Sequence, residues 1–219
     1  MKKRIQFLAN QLTQKSLLIA CLLIIFLFLF ALITHEVVFE NEASFDSKTI
    51  HFLSMHSSPA IIKIMRGVTF LGSFYFLAPA YSLLIAYLLL QKKTTYGISI
   101  LAIAVSSTLV LFGLKLLFRR HRPALPLIQD IAGYSFPSGH ALCAFIFCSI
   151  LSYQVSLTSL RIIWKWILIA LFMSVAIAIG ISRIVLNVHY ATDVLASFCL
   201  GIVWVLLSFE IFKKWHRQP

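Results

Sequence analysis

At 219 residues, 60% of them hydrophobic and only 12% charged, and with a mean hydropathy of +0.93, the chain has too little polar surface to cover a water-soluble globule. Its net charge of +12 does not indicate a nucleic-acid partner, because the basic residues sit in short clusters between apolar runs, as membrane topology signals do, with no soluble basic module beside them. What remains is a single integral membrane domain over residues 1–219.

The predicted elements follow from run length. Met1–Lys15 is polar and basic, and Ser16–Thr34 then carries no charge over 19 residues, enough to cross about 30 Å of hydrocarbon as a helix. It reads as a retained span rather than a cleaved signal peptide, since no convincing small-residue cleavage site follows. His35–Arg66 is the longest polar connection, with Glu36, Glu40, Glu42 and Asp46. Its apolar residues Ile50, Leu53, Ile61 and Ile64 predict short amphipathic helices laid along the membrane surface, broken near Ser57-Ser58-Pro59. Gly67–Leu90 is the second span, Gln91–Thr95 a basic turn, and Tyr96–Phe118 the third span, with Lys115 in its last turn. Arg119–Tyr134 is a basic loop containing proline; His140–Tyr153 opens the fourth span, whose start lies near Ser138. Ile163–Ser182 and Tyr190–Phe212 are the fifth and sixth spans. The predicted fold class is an all-α membrane protein of six transmembrane helices, with short amphipathic helices between spans one and two. Cys21, Cys143, Cys148 and Cys199 all fall inside apolar runs without metal-ligand spacing and read as small buried hydrophobes.

With the N-terminus inside, 11 of the 19 basic residues fall on the cytoplasmic side. Of the other eight, Lys115, Arg119, Arg120, Arg122 and Arg183 gather where the chemistry is expected; setting them aside leaves 11 against three. Six of the seven acids fall outside. The positive-inside rule therefore predicts both termini in the cytoplasm, with the loops after spans three and five on the outer face. Lys115, Arg122, His140, Arg183 and His189 then share one side of the membrane.

The stretch Phe136-Pro137-Ser138-Gly139-His140 has the composition of a helix start, with Ser138 able to cap. Free N–H groups at such a start form a seat for an anion, and His140 lies in the first turn. Lys115, Arg122 and Arg183 are cations at a membrane boundary without a comparable set of acids, so an anionic ligand would supply the missing charge. Arginine suits phosphate through its planar fork and lysine as a mobile point charge. A single such residue is commonly an interfacial snorkelling cation; three beside two histidines ask for more. His189 and Asp193, four apart at the start of span six, share a helix face. The carboxylate can accept the Nδ1 proton and leave Nε2 free as a nucleophile, although a helix-stabilising pair would have the same spacing. His140 would then be the acid–base group. A metal held by His140, His189 and Asp193 is disfavoured by the surrounding cations, and no cofactor is expected. His35, His51, His56, His121 and His216 read as surface or interfacial residues.

The order and spacing Lys115-x6-Arg122-Pro123, Pro137-Ser138-Gly139-His140 and Ser182-Arg183-x5-His189-x3-Asp193 resemble the three-part signature of the type 2 phosphatidic acid phosphatase superfamily. Thr69-Phe70-Leu71-Gly72-Ser73 is similar to the second-span region of bacterial members. The resemblance implies a metal-independent phosphatase with a phosphohistidine intermediate. Carried over by position, His189 is the nucleophile, Asp193 orients it, His140 is the acid–base, and Lys115, Arg122, Ser138, Gly139 and Arg183 hold the phosphate oxygens. Soluble vanadate-dependent haloperoxidases share the signature, but six spans argue against that branch.

The expected function is hydrolysis of a membrane lipid phosphate or diphosphate at the outer face of a bacterial inner membrane. Undecaprenyl diphosphate, phosphatidylglycerophosphate and phosphatidic acid are the leading substrates, with lipid A phosphate as an alternative. An anion transporter using the same cations is the competing class, but its polar groups would line a path near the midplane. A purely structural membrane protein leaves the His–Asp pair and the second histidine unexplained. The partners expected are the bilayer and its lipid phosphate, with no nucleic acid. Oligomeric state is not encoded in these motifs.

Overall fold

The computed structural model describes residues 2–40, 43–128 and 133–215; Glu42, Asp130 and Arg217, used in the charge counts, and His216, read as a surface residue, lie outside them. The described residues form α-helices, one π-helical turn and connecting turns, without strands. The helices are α1 (Lys2–Thr34), α2 (Ser44–His56), α3 (Pro59–Phe70), α4 (Phe74–Leu90), α5 (Thr94–Phe118), α6 (Gly139–Ser156), α7 (Ile162–Val185) and α8 (Ala191–Trp215), with a π-helical turn at His35–Phe39 continuing α1. Among the described residues, six segments are long and apolar enough to cross a membrane: Gln14–Phe39, Pro59–Leu90, Thr94–Phe118, Gly139–Ser156, Ile162–Val185 and Ala191–Phe212. This is the predicted all-α, six-span class, with boundaries shifted by a few residues.

Helix α6 lies at the centre, packed on α7 and α8; α1 covers α8, and α4 joins the bundle chiefly through α5. Leu142, Ile146 and Ile150 of α6 meet Ile100, Ile103 and Leu111 of α5 and Leu200 of α8 in the main apolar cluster. Apolar bulk alone does not drive helices together in lipid; close contact does. Gly180 of α7 provides one such contact, since a Cβ there would stand 2.7 Å from Phe198 Cζ and 2.8 Å from Val194 Cγ1. Ile24, Phe28, Leu83, Leu90 and Leu117 point outward and are exposed, as a lipid-facing surface requires.

Two features depart from the predicted layout. Short helices do follow span one, but α2 and α3 pack against α7, and α2 also against α8, so they form part of the bundle as well as its surface. The second span is not one continuous helix from Gly67. It breaks at Leu71-Gly72-Ser73, where the three backbone N–H groups turn back to the carbonyls of Val68, Thr69 and Phe70 at 3.2, 3.0 and 3.0 Å. The break brings the backbone close to its neighbours: a Cβ on Gly72 would stand 2.6 Å from Ile179 Cγ2 and 3.3 Å from both Cβ and the carbonyl oxygen of His140. The break keeps Thr69 beside the end of α7.

Candidate active site

One end of the bundle collects the C-terminal turns of α5 and α7 and the N-terminal turns of α6 and α8, and all the predicted site residues are there. Lys115, Arg122, Gly139, His140, Arg183 and His189 line one cavity of about 940 Å³. Ser138 and Asp193 are fully buried behind it.

His189 precedes α8 rather than riding on it, a correction to the shared-face expectation. Helix α7 ends in a tight turn in which Val188 and His189 N–H both donate to the Arg183 carbonyl, at 3.1 and 3.2 Å, with Asn187 at φ 53°. Asp193 folds back from the first turn of α8 so that Oδ2 accepts from the backbone N–H of Tyr190 at 2.9 Å, the carboxylate half of a capping box. The same oxygen lies 3.2 Å from His189 Nδ1 and accepts from the Ser135 hydroxyl. On the other side of the ring, Arg122 NH1 is 3.2 Å from Nε2. A guanidinium can only donate, so this contact assigns Nε2 as acceptor and Nδ1 as the protonated nitrogen, directed at Asp193. Burial pulls the His189 pKa down to about 4; Asp193 opposes the shift, while Arg122 and Arg183 add to it. The imidazole is therefore neutral at ordinary pH, with its free lone pair facing the cavity cations.

The cations are held by neutral groups. Lys115 Nζ donates to the Tyr134 carbonyl at 2.6 Å. Arg122 donates through Nε to the Gly133 carbonyl at 3.0 Å and through NH1 to the Val188 carbonyl at 2.9 Å. Arg183 is buried and gives NH1 to Thr69 Oγ1 at 2.6 Å, while its Nε finds no partner among the described residues. Lys115 and Arg183 make no ion pair among the described residues. Ser138 occupies the N-cap position of α6, but its hydroxyl makes no capping bond, contrary to the sequence reading. Its Oγ is buried and has no partner among the described residues. A buried polar atom without a partner is costly; Ser138 Oγ stands at the start of α6, where a helix N-terminus favours an anion, and Arg183 lines the cavity beside Gly139 and His140.

Four neighbours outside the predicted site residues also contribute: Ser135 donates to Asp193, Thr69 accepts from Arg183, and Arg120 binds both Asp193 and Asp46. Sequence alone marks Thr69 only by its resemblance, Arg120 only as a local cation and Asp46 only as an outer-side acid. The surface assignment stands for His35, His51, His56 and His121, which are exposed.

The family model described as PAP2 superfamily matches residues 94–217. Phosphatidylglycerophosphatase B of Bacillus subtilis strain 168 is 32% identical over 198 residues, covering 88% of this chain and 97% of the relative. Among solved structures, a transmembrane PAP2-type phosphatidylglycerolphosphate phosphatase from Bacillus subtilis has a TM-score of 0.77 at 28% identity, over 92% of this chain and 98% of that one. LpxE of Aquifex aeolicus has a TM-score of 0.59 at 26% identity, over 74% of this chain and 93% of that one. A family model matched over more than half of the chain and a relative aligned along nearly its whole length agree: the chain is a multi-pass membrane phosphatase of the PAP2 superfamily.

Proposed function

We propose that the substrate is a lipid phosphate that keeps its tail in the bilayer, and that hydrolysis proceeds through a phosphohistidine on His189 without a metal. The cavity carries this reading. From its cationic end it continues between α4 and α5, lined by Leu77, Tyr81, Ile85, Leu101 and Val105. Leu101 and Lys115 are 14 residues apart on α5, so the apolar groove extends about 21 Å along the helix at 1.5 Å per residue. A soluble phosphate ester has no use for such a groove.

In the proposed reaction the phosphate enters against Lys115, Arg122, Arg183 and the start of α6 at Ser138 and Gly139. Arg122 exchanges its contact with Nε2 for a phosphate oxygen, and the Nε2 lone pair attacks phosphorus. The bond from phosphorus to the leaving oxygen breaks as His140, which enters the step as the imidazolium beside the bound phosphate dianion, gives that oxygen a proton and becomes neutral. Asp193 stabilises the imidazolium through Nδ1–H. His140 then takes a proton from water, the hydroxyl oxygen bonds to phosphorus, and the bond to Nε2 breaks, releasing phosphate and restoring neutral His189. The cations neutralise charge in the transition state, the task a metal would otherwise perform.

The activities in the relatives' names support phosphatidylglycerophosphate as the first substrate to test. The charge bias of the loops supports an active site on the outer face of a bacterial inner membrane, which keeps undecaprenyl diphosphate in the comparison. The test is phosphate release by purified protein, with chelator present, from phosphatidylglycerophosphate, phosphatidic acid, undecaprenyl diphosphate, lipid A phosphate and a short-chain soluble ester. At least one long-tailed lipid should be turned over well above the soluble ester, with chelator inert. Equal rates on the soluble ester, or a strict need for added magnesium, would overturn the reading.

A further inference from the structure

Beneath the catalytic pair lies a second buried ionic cluster that the phosphate chemistry described above leaves unused. Asp46 belongs to α2, the helix between spans one and two, yet is only 1% exposed. Its Oδ2 accepts from Arg120 NH2 at 2.7 Å and from Thr192 Oγ1 at 2.5 Å, and its Oδ1 accepts from the Thr192 backbone N–H at 3.0 Å. Arg120 also gives NH1 to Asp193 Oδ1 at 2.6 Å and to Thr192 Oγ1 at 2.9 Å, and its guanidinium carbon lies 4.1 Å from the centre of the Tyr190 ring. One guanidinium thus ties two buried carboxylates from separate parts of the chain. If the contact served only to dock α2 on α8, apolar side chains would do it at equal or lower cost. The ion pair adds direction. Oδ1 of Asp193 is pinned by Arg120, so Oδ2 stays aimed at His189 Nδ1, and Asp46 with Thr192 fixes where Arg120 stands.

We propose that Asp46, acting through Arg120, is a positioning residue for the nucleophile: helix α2 sets the aim of Asp193 and hence of His189. This rests on the catalytic assignment of His189 and Asp193 made above. The arrangement links a helix at the membrane surface to the reacting imidazole through three side chains, none of which is placed on the phosphate.

The test uses the full chain in detergent with a lipid substrate. Asp46→Asn keeps an acceptor for the Thr192 N–H but removes the charge that anchors Arg120. It should lower kcat by about 10- to 100-fold, the scale of losing a partner that orients a functional histidine, with KM within about twofold. Arg120→Lys, which can reach one carboxylate but not both, should show the same split. In an Asp193→Asn background, Asp46→Asn should cost no more than about a further twofold, because the group it aims has gone. Multiplicative losses in the double variant, or a parental kcat in Asp46→Asn, would overturn the proposal. His189→Ala separates the two levels: turnover by that variant would refute the catalytic assignment itself, whereas an inactive His189→Ala beside a parental Asp46→Asn would refute the positioning role alone.

Discussion

Replacing Asp193 by Asn probes the nucleophile without changing its volume. Asp193 accepts from four donors: Oδ2 faces His189 Nδ1, the Ser135 hydroxyl and Tyr190 N–H, and Oδ1 faces Arg120. An amide can satisfy only one side. With its oxygen toward the three donors, the NH₂ faces Arg120, which Asp46 still holds, and the His189 tautomer survives without a negative charge behind it. Losing a charged hydrogen bond is worth about 1.5–3 kcal/mol, or about 10- to 150-fold in kcat at 1.4 kcal/mol per tenfold. With the amide reversed, Nδ1 must accept, Nε2 carries the proton toward Arg122, and the loss approaches the roughly 10⁴-fold of an inverted triad tautomer. Three donors against one favour the first orientation. Steady-state turnover of a lipid phosphate should therefore fall by at least about tenfold, with KM nearly unchanged because in the proposed reaction the phosphate is held by Lys115, Arg122 and Arg183. A kcat within about threefold of the parent would refute the role of the carboxylate, since that is less than 1 kcal/mol.

Acid tolerance follows from His189. Because its pKa is lowered to about 4, the reactive neutral form persists on acidification. Phosphoenzyme formation from a nitrophenyl phosphate, whose leaving group needs no proton, should hold within about twofold down to about pH 5.5, where an ordinary imidazole would be about nine-tenths protonated; a tenfold loss there would contradict the buried neutral nucleophile. Gly72→Ala places a Cβ 2.6 Å from Ile179 Cγ2 and 3.3 Å from His140, so it should cost about 1–3 kcal/mol of stability and lower kcat as well. Unchanged melting and turnover would show that the α3–α4 break is not held by this contact. Single cysteines at Ala124 and Thr94, in a background lacking the native four, test sidedness: an impermeant thiol reagent on intact spheroplasts should label the first and spare the second, and the reverse would place the site in the cytoplasm.

The spans and the cation–histidine set were legible because both depend on local sequence. An uncharged run such as Ser16–Thr34 can only be satisfied in lipid, and the order of Lys115, Arg122, His140, Arg183 and His189 put them at helix ends on one side before any packing was known. What escaped depends on contacts distant in sequence. Asp46 reads as one of several acids in the polar connection after span one; only α2 docking on α8, 146 residues away at Thr192, makes it a buried anchor. Gly72 looks like a tolerated glycine inside a span, and only the approach of Ile179 and His140 shows that a side chain there would be crowded. Ser138 has the sequence of a cap, but its hydroxyl has no partner among the described residues in the buried start of α6. The His189–Asp193 spacing was read on a helix, whereas a capping turn brings the pair together from outside it.

The central claim is the covalent role of His189. Purified protein mixed with lipid carrying a labelled phosphate, quenched within the first turnover and digested, should yield one acid-labile phosphate on a peptide containing His189, absent when His189 is replaced by Ala. Label on another residue, or undiminished turnover by the His189→Ala protein, would contradict it.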